Sequence, residues 1–208
     1  MSSFGRDENG EISIVISTQE SQVLINLTEQ LLELLSQGES LAEHQDPLLH
    51  LVGISDSDAL PEDPVLRRLF PDAYEDSASA GEFRRYTEYG LREKKKAHAR
   101  IIYEALTSQE EPEEISSSHT PIDKGSFKLI IESSQILDWL SGLNDLRLAL
   151  AVRLGIGGDK SERESIDTEA IHKKYELMLE SDPMKAVYAV YSWIGWLQQS
   201  LLEEISPS

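Results

Sequence analysis

The chain has 208 residues, of which 19 are Lys or Arg and 38 are Asp or Glu, giving a formal charge of −19. A chain of this length buries roughly 70% of its unfolded surface without a covalent staple, while so acidic an exterior repels nucleic-acid phosphates and anionic lipid. Cysteine is absent, which excludes disulfides, thiolate metal sites, a cysteine nucleophile and thiol redox switching.

The opening MSSFGRDENG lacks the apolar stretch of a secretory signal, and no apolar run approaches the ~18 residues of a membrane span. The expectation is a cytoplasmic protein with no membrane partner. Charge is unevenly spread. Asp7 to Asp63 holds 13 acids and no Lys or Arg, whereas Arg67 to Arg100 holds nine bases against six acids. The two regions should attract one another within a Debye length.

In chain order, ISIVIS at 12–17 alternates apolar and polar residues with β-branching and predicts a strand. Ser17 and Glu20 then form a capping-box pattern, followed by Val23, Leu24, Leu27, Leu31, Leu34 and Leu35 at helical spacing up to Gly38. Asp46-Pro47 and Asp63-Pro64 each pair an N-cap with proline at the first helical position, predicting short helices at 47–52 and 64–69. A long helix is expected over 79–106, with Phe83, Leu91, Ala97, Ile101, Ile102 and Ala105 on its core side. Residues 108–126 are acidic, Ser- and Pro-rich and aperiodic, hence a flexible loop. FKLIIE at 127–132 is a second strand, and Ser133 and Ser134 cap a helix over 135–154 that Gly155 ends. A flexible loop at 157–166, a helix at 166–180 and a last helix opened by Asp182-Pro183 complete the chain. Because a lone strand has nothing to bond to, the two strands should pair. The predicted fold is mainly α: a single-domain helical bundle over 1–208 with a small two-stranded β element.

The chemistry-bearing motifs are sparse. Neither HExxH, GxSxG nor a phosphate-binding GxxxxGK[ST] occurs. Glu169 and His172 have the ExxH spacing of di-iron bundles, but a second copy is needed and no other His has Glu three residues before it. No metal or cofactor is therefore expected. Arg147 shares a helix with Asn144, Asp138 and Asp145, and on an apolar face it predicts a buried ion pair with an acid from the N-terminal third. On a wheel of ~100° per residue, Arg85, Arg92, Lys96 and Arg100 fall with Tyr89 and Tyr103 in an arc of about 80°. That basic, Tyr-interleaved stripe is a candidate contact for an anionic partner, or a face neutralised within the chain, as Glu88 lies four residues from both Arg84 and Arg92. In the last helix, Tyr188, Tyr191, Trp193 and Trp196 widen the apolar stripe nearly to the full circumference. Such a helix is central to a core or shared with a second copy of the chain.

The order and spacing of LFPDAY at 69–74, FRRYTE at 83–88, Leu91-Arg92, WLSGLNDLRL at 139–148, Arg153-Leu154-Gly155 and VYSWIGWLQ at 190–198 resemble the actinobacterial oxidative-stress regulator family (AosR-type). The resemblance implies a non-enzymatic cytoplasmic regulator of transcription, acting through protein partners of the transcription machinery such as a sigma factor or polymerase. The cysteine-pair oxidant sensing ascribed to some members has no counterpart here; Met1, Met178 and Met184 are the oxidisable sulfur atoms. Against this stands a second reading, an enzyme or small-molecule binder with a pocket between helices around Asn144 and Arg147. The net charge disfavours direct DNA binding without a partner.

Overall fold

The computed structural model describes residues 2–37, 59–108, 125–156 and 168–206, with backbone alone at Thr168 and Glu169. Two strands, β1 (Phe4–Arg6) and β2 (Ile12–Ser17), form a hairpin, and β3 (Ser126–Ile130) pairs with β2 on its other side. Both pairings are antiparallel, with Phe4 opposite Ile14 and Ile14 opposite Leu129. The expected pairing of the two longer strands is present, and β1 makes the sheet three-stranded. Its three residues are too few to show alternation. It forms because β2 offers it one edge while the last helix takes the other: Phe4 N–H donates to Ser200 Oγ at 3.1 Å, and the Arg6 guanidinium donates to the Glu204 carbonyl at 2.7 Å. Period-2 alternation sends Ile12, Ile14, Ile16, Leu129 and Phe4 into the core, leaving Val15 and Ile130 outside.

Six α-helices are described: α1 (Thr18–Ser36), α2 (Pro64–Leu69), α3 (Ser77–Thr107), α4 (Ile136–Arg153), α5 (Thr168–Glu176) and α6 (Pro183–Ile205). Four of their starts follow from local side-chain chemistry, whereas the Ser133 and Ser134 cap expected for α4 is absent: a 3-10 turn over Ser133–Gln135 leads into that helix with no side-chain cap bond. Ser17 and Glu20 complete the capping box of α1, and Asp63, Asp76 and Asp182 each accept backbone N–H groups at the start of α2, α3 and α6; a cap of this type stabilises by about 1 kcal/mol. At the end of α4, Gly155 takes φ +70. Its N–H then reaches the Val152 carbonyl and that of Ile156 reaches Ala151, a Schellman stop. The 47–52 helix and the 157–166 loop lie outside the described residues, as does nearly all of the 108–126 loop. The 166–180 helix is shorter than expected, because the chain turns after Glu176.

The helices pack in sequence. α1 and α4 both lie against α3, α6 lies against α4, and α2 covers α4 from the side. Trp139, Leu143, Ile194, Leu197 and Leu201 are all but fully buried where α4 meets α6, and Ile102, Leu24 and Leu35 where α3 meets α1. Gly142 sets the α3–α4 approach: a Cβ there would stand 2.5 Å from Ile102 Cδ1 and 3.4 Å from the His98 carbonyl.

Candidate interaction surfaces

α3 is rotated relative to the orientation its apolar residues predict. Of the six residues expected on its core side, Ile102 is buried and Ile101 and Ala105 pack against the core, but Phe83 and Leu91 are 41% and 44% exposed and Ala97 is also exposed. Inward lie Arg84, Lys96 and His98, all buried, together with Arg92 and Lys95. Charge can occupy that side because almost every head group there finds a partner while the aliphatic stems pack. Arg84 pairs with Asp72, and Glu88 bridges Arg84 at 3.9 Å and Arg92 at 2.6 Å. The compensation along the helix expected of Glu88 is thus present. Arg92 further donates to the carbonyls of Leu35 and Gln37 at 2.8 and 3.2 Å and lies 5.0 Å from the Phe70 ring centroid. α1 has no basic residue in its last turn, so Arg92 supplies from α3 the positive charge that a helix C-terminus favours.

The five residues of the expected basic stripe do not share one exposed arc. Lys96 is 2% exposed and bonds Glu93 at 3.1 Å, and Arg92 is committed to α1. Arg85 and Tyr89 are half-buried and engaged in further contacts, which leaves Arg100 as the exposed member of the five. Tyr103 is held by the Glu29 carboxylate of α1, which raises the phenol's pKa. Attraction between the acidic N-terminal third and the basic segment therefore includes backbone carbonyls of α1 as well as a carboxylate.

The buried ion pair of α4 belongs to Asp145, not to Arg147. Asp145 is 2% exposed and accepts from Lys95 Nζ at 2.7 Å; its second oxygen has no hydrogen-bond partner among the described residues. Burial pushes the carboxyl pKa up, with Lys95 opposing. Beside it, His98 Nε2 stands 3.5 Å from Asp138, and Nδ1 has no hydrogen-bond partner among the described residues. Burial lowers the imidazole pKa against the pull of Asp138 and Asp145. Arg147 is exposed and lies over Tyr191, 5.4 Å from the ring centroid, and over Gly195, with a 3.3 Å bond to Gln198. The expectation failed because the wheel cannot say which side of an all-round apolar helix meets water. Asp145 was legible only as one of many acids.

On α6, Trp193 is 6% exposed inside the chain's own core, whereas Trp196 is 46% exposed. Tyr188 and Tyr191 are half-buried, and Tyr188 stacks on Tyr175 at 4.6 Å. Tyr175 donates to the Leu154 carbonyl at 2.7 Å, pinning α5 to the end of α4. His172 bonds the Tyr188 hydroxyl.

An open groove of about 480 Å³ runs between α1, the start of α2 and the C-terminal half of α4. Leu27, Leu34, Val65, Ala149 and Val152 floor it, and Glu33, Asp63 and Arg153 stand at its rim. Neither Asn144 nor Arg147 lines it. Both project from the opposite side of α4.

The model of the domain of unknown function DUF2017 matches residues 1–205. The chain belongs to the DUF2017 family. Its relatives include the oxidative stress regulator AosR of Mycobacterium tuberculosis (strain ATCC 25618 / H37Rv) and that of Mycobacterium bovis, each 29% identical over 202 residues, covering 90% of this chain and 78% of the relative. A Mycobacterium leprae relative is 30% identical over 198 residues, covering 90% and 79%. No solved structure matches. Family membership agrees with the resemblance carried by the LFPDAY, FRRYTE and WLSGLNDLRL segments. In this member, the first of these places Phe70 under Arg92 and Lys95 and Asp72 against Arg84. Among the described residues no helix is long and apolar enough to cross a membrane.

Proposed function

We propose that this DUF2017 protein is a non-enzymatic, cytoplasmic regulator of transcription in the oxidative-stress response, acting through protein contacts with the transcription machinery. Its relatives are named oxidative stress regulators. The carrying observation is the rotation of α3. Its cations brace the neighbouring helices, and its outward side presents Phe83 and Tyr86, with Tyr74 edge-on to Phe83 at 5.8 Å. Tyr86 and Tyr74 are 56% and 52% exposed. Exposed aromatic residues of this kind suit a protein interface, and a chain of charge −19 suits one better than a DNA duplex. Trp196 extends the proposal to self-association through α6, a role that Trp193 does not serve from inside the core.

The test is capture from native extract with the full chain and with Phe83→Asp/Tyr86→Asp. Polymerase or sigma subunits should be recovered with the former and fall at least tenfold with the latter, at an unchanged urea midpoint. Equal recovery by both proteins, or recovery of no transcription protein, refutes the reading.

A further inference from the structure

The aromatic cluster where α5 meets α6 takes no part in the contacts proposed above. Tyr188 sits at its centre. Tyr175 stacks on it at 4.6 Å with the ring planes 11° apart, His172 stands edge-on at 5.5 Å, and Tyr191 is tilted against it at 6.2 Å. The Tyr188 hydroxyl is hydrogen-bonded to His172 Nδ1; with the imidazole hydrogen on Nε2, the phenol donates and Nδ1 accepts. We propose that Tyr188 is a reversible one-electron redox site whose phenolic proton is taken up by His172. Its electron goes to a one-electron oxidant of the ferryl-haem class. For a part in the oxidative-stress response this rests on the regulatory reading, whereas its chemistry rests on the cluster alone.

Base and charge single out Tyr188 among the three stacked phenols. Removing an electron from a phenol makes its O–H strongly acidic, so oxidation is easiest where a base already holds that hydrogen. Tyr175 has no such base, since its hydroxyl donates to the Leu154 carbonyl at 2.7 Å and an amide oxygen does not keep a proton. The rings also differ in what lies over them. Lys174 Nζ is 5.3 Å from the Tyr175 centroid, and the Arg147 guanidinium is 5.4 Å from that of Tyr191. A cation is attracted by an electron-rich ring and repelled by one that has lost an electron, so both of these rings resist oxidation. Among the described residues no cation stands over the Tyr188 ring. Tyr103 makes a contrast, because its hydroxyl meets the Glu29 carboxylate, and a carboxylate is a weaker base than an imidazole by about two pKa units. The step balances: phenol, imidazole and oxidant give a neutral phenoxyl, an imidazolium and the oxidant reduced by one electron. One electron from a soluble reductant such as ascorbate, with the proton returned by His172, restores the phenol. Because Tyr188 is half-buried and flanked by three rings, its phenoxyl is kept from coupling to a second molecule. The cycle needs no sulfur, in a chain without cysteine.

The experiment oxidises the full chain with photogenerated ruthenium(III) tris-bipyridine and freezes it for electron paramagnetic resonance. A neutral tyrosyl signal should form and should vanish when ascorbate is added. Tyr188→Phe, which keeps the stacked ring, should lower the yield several-fold, and Tyr103→Phe should leave it intact. His172→Ala, at an exposed position, should slow formation of the signal by about tenfold. Imidazole added to that variant should restore the rate, a response that a merely structural histidine would not give. Equal yields from the unaltered chain and Tyr188→Phe overturn the proposal. So do a tryptophanyl signal in place of the tyrosyl one, an unchanged rate in His172→Ala, or reaction confined to oxygen addition at Met178 and Met184. The isolated chain reports this step with no partner present, so the redox proposal and the regulatory reading can fail separately.

Discussion

The guanidinium of Arg92 donates to the carbonyl of Leu35 at 2.8 Å, so the end of α1 is closed by a side chain 57 residues further along the chain. With the Glu88 pair and the Phe70 ring, this single group ties α1, α3 and the segment after α2 together. Arg92→Ala should lower unfolding free energy by about 2 kcal/mol, since charge-assisted bonds at half-buried sites are lost together. Arg92→Lys should recover part of the loss but not the forked contact in which Nη1 meets the α1 carbonyls while Nη2 meets Glu88. Urea unfolding of the three proteins measures both; a loss below about 0.5 kcal/mol in Arg92→Ala would contradict the bracing role.

Asp145 and Arg147 make a paired comparison within one helix. Asp145→Ala leaves Lys95 without its carboxylate in a mostly buried position and should cost about 3 kcal/mol. Arg147→Ala removes an exposed side chain resting on Tyr191 and Gly195 and should cost under about 1 kcal/mol. Thermal melts that rank them in the opposite order would return the structural charge to Arg147.

Gly142→Ala tests the α3–α4 approach. The added methyl collides with Ile102 Cδ1 and touches the His98 carbonyl, so the Ile102 rotamer must yield. Overpacking of this kind costs about 1–3 kcal/mol. Adding Ile102→Val should restore part of the stability, and a calorimetric comparison of the single and double variants reads that coupling.

Acidification acts on the same interface in two opposed ways. The folded-state pKa of His98 is lowered by burial, so the unfolded chain holds more protons in the window below the ordinary value of about 6.5. Stability therefore falls as pH drops through that window. The pKa of Asp145 is raised by burial. In the window above its ordinary value of about 3.9 the folded chain holds the extra proton, and stability rises as pH falls there. His98→Gln should flatten the loss just below pH 6.5, and Asp145→Asn should remove the opposing gain at lower pH. Urea midpoints from pH 7.5 to 4.5 separate the two, and an unchanged slope in His98→Gln would refute its assignment.

Local chemistry made much of the fold readable in advance. Ser17 with Glu20, Asp63-Pro64 and Asp182-Pro183 marked helix starts because each cap acts within four residues of its partner. ISIVIS and FKLIIE announced strands because alternation is also a local property. The facing of α3 was not local. Phe83, Leu91 and Ala97 matched a core stripe as well as any residues in the chain, but the side that turned inward was decided by Asp72, Asp145 and the carbonyls of α1, all contributed by other elements. The same distant partners made Asp145 the buried charge of α4 and left Arg147 at the surface. The β1 strand was hidden for a related reason, since Phe4–Arg6 is a strand only because β2 and α6 flank it.

The bond from Phe4 N–H to Ser200 Oγ also bears on how the molecule is made. Residues 4 and 200 must meet before β1 has both neighbours, so a ribosome has to release nearly all of this sequence before the sheet's second margin is sealed. Until then the oily side bearing Ile12, Ile14 and Ile16 waits for α6, and that interval is when a nascent chain of this kind would most need a chaperone.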